Sequence, residues 1–142
     1  VERQLAVGLF NFVWTLLEKA DRSPGEDDLM IHAAHASRLH WERPGTAVNH
    51  IRGEWQVSRV YAVVGRAEPA LHHAARCLEL CEEHSVGDFD LAYAYEALAR
   101  AHGIAGSSAE AERFAQLARE QAGLVADADD REHLLEDLAT LP

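Results

Sequence analysis

The chain reads as an all-α protein of three helix-turn-helix repeats, about 41 residues each, with a closing C-terminal helix. Three observations predict this: apolar residues fall at helical spacing over nearly the whole length, turn-forming breaks recur, and small residues stay in step when the sequence is shifted by 41. Ala, the strongest helix former, occurs 25 times in 142 residues, which supports helices whose backbones approach closely.

The elements follow in order. Leu5, Leu9, Phe12, Val13 and Leu16 mark a first helix over 2–19, and "DRSPGEDD", with Pro24 and Gly25, breaks it. A second helix spans 27–41 and ends at "ERPGT". Thr46 is the N-cap of a third helix that runs to about residue 64. "GRAEP" from Gly65 separates it from a fourth, which reaches about residue 84. "SVGD" leads to a fifth from about residue 89, and "GSS" from Gly106 opens a sixth. The repeats cover about 5–41, 46–84 and 88–125, and a closing helix spans about 129–139, all within one domain.

The shift of 41 aligns Ala33 with Ala74 and Ala115, Ala36 with Cys77 and Ala118, and Leu16 with Val57 and Leu98. Pro24, Gly65 and Gly106 share another column, and Trp14 falls on Trp55. A period carried by packing residues and breakers is the signature of stacked supersecondary units.

Two stretches, "YAVVGRAEPALHHAARC" and "ALARAHGIAGSSAEAERFAQLA", place Gly65, Ala70, Ala74 and Cys77, and then Gly106, Ala111, Ala115 and Ala118, in the order in which small residues recur in one known motif. In this the chain resembles the tetratricopeptide repeat (TPR) family, close to its uncharacterised bacterial TPR-like members. The resemblance covers about residues 5–125 and departs from the family in repeat length, roughly 34 residues being usual, and in lacking the closing Pro. It implies a right-handed α-α superhelix in which the first helix of each repeat lines a concave groove. Carried onto the columns, that groove holds Asn11, Trp14 and Glu18 from the first repeat, Arg52, Trp55 and Arg59 from the second, and Tyr93, Glu96 and Arg100 from the third.

Each trio is spaced i, i+3, i+7 and so lies along one helical face. Stacking would set Trp14 beside Trp55 and put Glu18, Arg59 and Arg100 in a lateral row. The resemblance thus implies a non-enzymatic module for a partner protein or peptide, with Trp and Tyr offering rigid area and Arg52, Arg59 and Arg100 as carboxylate holders. The opposing reading makes the charges internal ion pairs, Glu18 with Arg59 or Glu96 with Arg100, and the Trp pair core packing.

Composition narrows the remaining classes. Hydrophobic residues at 48% and charged residues at 26% fit a soluble globular protein, expected to be cytoplasmic, and no apolar run reaches the 18 residues of a membrane span. The chain begins at Val1 rather than Met, as expected of a sequence whose upstream piece is missing. Net charge is -11, with 9 acidic against 3 basic residues after position 106, which argues against nucleic acid and anionic membranes as partners. Arg outnumbers Lys 12 to 1, the bias of a GC-rich bacterial genome. Cys77 and Cys81 lie one helical turn apart and are expected as reduced thiols. Three repeats expose two terminal apolar faces, which admits a homodimer, although the acidic last helix is suited to cover one.

Nine histidines raise the question of a metal centre. His73, Cys77, Cys81 and His84 form a helical stripe, but eleven residues of helix spread over about 16 Å, too far for one ion. "MIHAAHASRLHW" presents His32 and His35 as an HxxH pair, with His50 or Glu54 as further ligands once the chain turns back at Pro44. It lacks the Glu of HExxH, and His32 shares its column with His73 and Phe114, an aromatic packing position. A metal-dependent helical enzyme using this pair is therefore the alternative function, and a regulatory domain holding a small molecule between the Trp-lined helices is another. The preferred reading needs no cofactor.

Overall fold

The computed structural model describes residues 1–142 and contains seven α-helices and no strand: α1 (Glu2–Leu17), α2 (Pro24–His40), α3 (Ala47–Val63), α4 (Ala67–Glu83), α5 (Asp88–Ala105), α6 (Ser108–Ala122) and α7 (Ala128–Leu138). Adjacent helices pack as antiparallel hairpins, α1 with α2, α3 with α4 and α5 with α6. The first helices of the hairpins also approach one another closely, α1 with α3 and α3 with α5, whereas the backbones of α2 and α4, and of α4 and α6, stay further apart, and the His35 and His73 rings, 5.4 Å between centroids, bridge α2 to α4. The chain is therefore closed on the face of α1, α3 and α5 and more open on the other. α7 packs against both α5 and α6, with Leu134 fully buried beneath it.

The columns of the sequence are packing positions. Ala33, Ala74 and Ala115 are all buried, as are Leu16, Val57 and Leu98, so the residues that keep step are those that set the distance between helices. Ala70, Ala62 and Ala101 form a small apolar contact of their own between α3, α4 and α5. Buried polar side chains join neighbouring helices by donating to their backbone carbonyls: Ser37 Oγ to Ala6 at 2.8 Å, Gln56 Nε2 to Phe10 at 3.0 Å and Ser58 Oγ to Ala70 at 2.8 Å. Each such bond satisfies a group that burial would otherwise penalise.

Local signals explain the helix ends. Gly65 and Gly106, which share a column, both adopt left-handed φ values of 79° and 80° just after a helix, and the following N–H closes back on Tyr61 and His102 respectively. At the break between α4 and α5 no Gly takes this role; Ser85 does, at φ 53°. The break between α1 and α2 falls at residues 18–23, before the Pro and Gly expected to make it. Pro24 and Gly25 open α2, because Ser23 and Glu26 form a capping box and Pro at the first helical position loses no hydrogen bond. The second helix thus starts three residues earlier than its apolar pattern indicates. Thr46 is the N-cap of α3, as expected, and its backbone N–H donates to Asn49 Oδ1 at 3.0 Å.

Candidate functional site

The face shared by α1, α3 and α5 carries a continuous run of aromatic rings. Trp14 stacks on Trp55 with centroids 5.6 Å apart, and Tyr93 meets Trp55 edge-on at 5.5 Å. Phe10 extends the run on α1 and Phe89 on α5, edge-to-face or tilted against Trp14 and Tyr93. These rings wall a cavity of about 500 Å³, and α7 supplies its far side through Asp130, His133 and Asp137. Spaced i, i+3 and i+7, those three lie on one face of α7 just as the trios of the earlier helices do.

The helices do not meet in a single register. Trp14 and Trp55 are 41 residues apart, but between α3 and α5 the contacts fall one turn short of the column: Trp55 with Tyr93 and Arg52 with Asp90 at 38, Arg59 with Glu96 at 37. The expected row of Glu18, Arg59 and Arg100 is therefore absent. Glu18 is exposed at the C-terminal cap of α1, and Arg59 reaches Glu96 Oε1 at 3.3 Å and Asp137 Oδ1 at 3.5 Å.

All three arginines expected to hold a ligand carboxylate are engaged by carboxylates of this chain, and Glu96 with Arg100 is the internal pair of the opposing reading. Arg52 binds both oxygens of Asp90, at 2.9 and 3.2 Å. Arg100 donates to Glu96 at 3.4 Å and also to the carbonyl of Asp137 and the hydroxyl of Thr140, fastening the end of α7 to α5. Arg59 lies over the Trp55 ring at 5.6 Å, a cation–π contact within the wall. Asn11 is exposed on α1 and, with Arg52, lines a smaller neighbouring depression.

Glu96 occupies the column of Trp14 and Trp55 but is completely buried, with Oε2 unpartnered. Burial pushes its carboxyl above the ordinary range despite the two guanidinium groups beside it. Tyr93 donates its hydroxyl to Asp137 at 2.6 Å, and burial together with that carboxylate drives the phenol far above its usual value. Trp55 is 9% exposed, lines the cavity and keeps its indole N–H without a partner.

The expected metal ligands are dispersed. His32 is exposed rather than packed, His50 Nε2 lies 3.0 Å from the Trp41 carbonyl, and His35 Nε2 lies 2.8 Å from the Tyr61 hydroxyl. Glu54 instead accepts from Arg38 at 2.7 Å and pairs with His73 Nδ1 at 2.9 Å. Burial raises the Glu54 carboxyl, but these two partners outweigh it and leave a net lowering. His35 is held below its ordinary value by burial and by His73 nearby. No three His, Cys, Asp or Glu side chains converge as an ion would require, so the His32, His35, His50 and Glu54 set is not assembled. Cys77 and Cys81 are both buried free thiols.

Sequence reasoning missed Phe10, Phe89, Asp90 and the whole α7 wall. Asp130 and Asp137 share a face with His133, but an acidic helix of this pattern serves equally as a cover for the end of the stack. Compared with models of known protein families, with curated proteins and with solved structures, the chain matches none.

Proposed function

We propose that the chain is a non-enzymatic, TPR-like recognition module that holds a segment of a partner protein against the α1, α3 and α5 face. The observation that carries this is the aromatic wall from Phe10 through Trp14 and Trp55 to Tyr93, which borders a cavity: Phe10, Trp14 and Phe89 are half-buried, and Trp55 and Tyr93 join them to the core. Half-buried rigid rings such as Phe10, Trp14 and Phe89 are residue types on which binding energy concentrates. The closed face of α1, α3 and α5, set against separated outer helices, fits the concave side of a right-handed superhelix. No helix is long and apolar enough to cross a membrane.

Selection from a displayed peptide library, followed by titration of Trp fluorescence, tests the reading. Selected peptides should bind the parent protein and lose affinity in Trp14→Ala and Phe89→Ala, while Arg113→Ala on the exposed side of α6 leaves affinity unchanged. Peptides that bind both aromatic variants as tightly as the parent, or a library that yields no binder, would overturn it. A small-molecule regulatory domain is the second reading, favoured by the cavity itself, whose volume of about 500 Å³ falls within the roughly 300–1,000 Å³ of ligand sites.

A further inference from the structure

We infer that the cavity takes a basic side chain carried on a peptide backbone, and this inference rests on the recognition reading above. The sign of its charge is the reason. Asp88, Asp90, Asp130 and Asp137 line it, against a single lining guanidinium, that of Arg52, which is consumed by Asp90. Arg59 offsets only part of Asp137, since that contact is long at 3.5 Å and the same carboxylate already accepts from Tyr93. Asp130 has no salt-bridge partner, and its side chain accepts no hydrogen bond although it sits in the exposed first turn of α7. The cavity therefore keeps a surplus of negative charge, and the chain as a whole, at net charge -11, draws cations toward it.

The walls suit the same occupant. Trp14, Trp55 and Tyr93 present π faces and edges around the acidic mouth, and a cation beside such rings is attracted by their quadrupoles while its aliphatic stem covers apolar area. The cavity is large enough for a lysine or arginine side chain with the backbone that bears it. Trp55 lines the cavity with part of its ring, while its unpartnered indole N–H lies buried out of an occupant's reach. A basic residue within a peptide meets the carboxylates with its charged end and the rings with its aliphatic stem. The expected carboxylate-binding groove is thus replaced by a site for the opposite charge.

The test uses three pentapeptides that differ only at the centre, carrying lysine, norleucine or glutamate, titrated against the full chain with Trp fluorescence as the readout. The lysine peptide should saturate and bind at least about tenfold more tightly than the norleucine peptide, weakening as salt is added. Asp130→Asn should reduce lysine-peptide affinity about threefold or more while leaving the thermal midpoint near that of the parent, because its carboxylate has no partner to lose. Norleucine or glutamate peptides that bind as tightly as lysine would overturn the cationic assignment while leaving the recognition face standing. Lack of saturation by the lysine peptide up to about 5 mM would overturn it as well. The library selection decides separately whether the face binds peptides at all.

Discussion

Arg52 spans both carboxylate oxygens of Asp90, 38 residues further along the chain, and so joins α3 to α5 at the edge of the aromatic cavity. Its own side chain is about half exposed, whereas Asp90 is nearly buried at 11%. That asymmetry fixes what removing each partner does. Arg52→Ala leaves a buried carboxylate unpaired and should cost about 1–2 kcal/mol in urea unfolding, while the double variant Arg52→Ala with Asp90→Ala should cost less than the sum of the two singles, by about 1 kcal/mol. Strict additivity in that cycle would mean the bidentate contact contributes nothing.

Glu96 predicts a pH dependence of the opposite kind from an ordinary ion-paired carboxylate. Its folded value lies above the ordinary 4.5 because burial outweighs Arg59 and Arg100. The folded state therefore binds the proton more tightly than the unfolded chain. The contribution is fully present below 4.5 and is lost as pH rises through the raised folded value. Glu96→Gln keeps an acceptor for the arginines without the buried charge. The stability of the parent relative to Glu96→Gln, from urea unfolding between about pH 4 and pH 8, should fall as pH increases. A difference that rises with pH instead would mean that the two guanidinium groups outweigh desolvation.

The helices and their pairing were legible because breakers and small residues act locally: Gly65 and Gly106 carry their conformational role in their own backbone, and Ala74 sets helix distance by its size alone. Trp14 beside Trp55 was legible for the same reason, since both fall in one column. The pair of Glu96 with Arg100, one turn apart on α5, was legible as well, but the partners of Arg52 and Arg59 were not. They depend on a register one helical turn off the column between α3 and α5, which no residue type along a single helix reports. Neither was the placement of α7, because Asp130 and Asp137 look alike on a covering helix and on a cavity wall. The histidine pair misled in the other direction: HxxH fixes a spacing on α2, whereas a metal site needs a third ligand from another helix, and Glu54 there is already bound to Arg38 and His73.

The paired glycines predict a matched cost. At Gly65 and Gly106 nothing lies within 4 Å of where a Cβ would stand, so Ala meets no clash and only the positive φ opposes it. Gly65→Ala and Gly106→Ala should each destabilise by about 1–2 kcal/mol in thermal or urea unfolding. Ser85 holds the corresponding left-handed position before α5 with a side chain, and Ser85→Gly should stabilise by roughly 0.5–1 kcal/mol. Equal stability of all three variants with the parent would show that these turns relax to other conformations without penalty.

The last helix is the part of the molecule whose attachment most directly controls the cavity. α7 is held by one fully buried side chain, Leu134, and by polar ties at its end: Arg100 to Asp137 and Thr140, Tyr93 to Asp137, and Arg59 to Asp137. Its first turn is exposed and acidic, with Asp127 capping the N–H of Asp130 at 2.9 Å. A short helix anchored by buried Leu134 and only half-buried Leu138 opens more readily than the hairpins it leans on, because local opening exposes little buried area. Leu134→Ala should therefore remove about 2–4 kcal/mol of local protection. Amide hydrogen exchange should speed up across residues 128–138 well beyond any change in α3 or α4, and Trp55 fluorescence should shift as the cavity wall departs. Uniform acceleration over all seven helices would instead place α7 in the same cooperative unit as the rest, and the cavity would then open only when the whole chain unfolds.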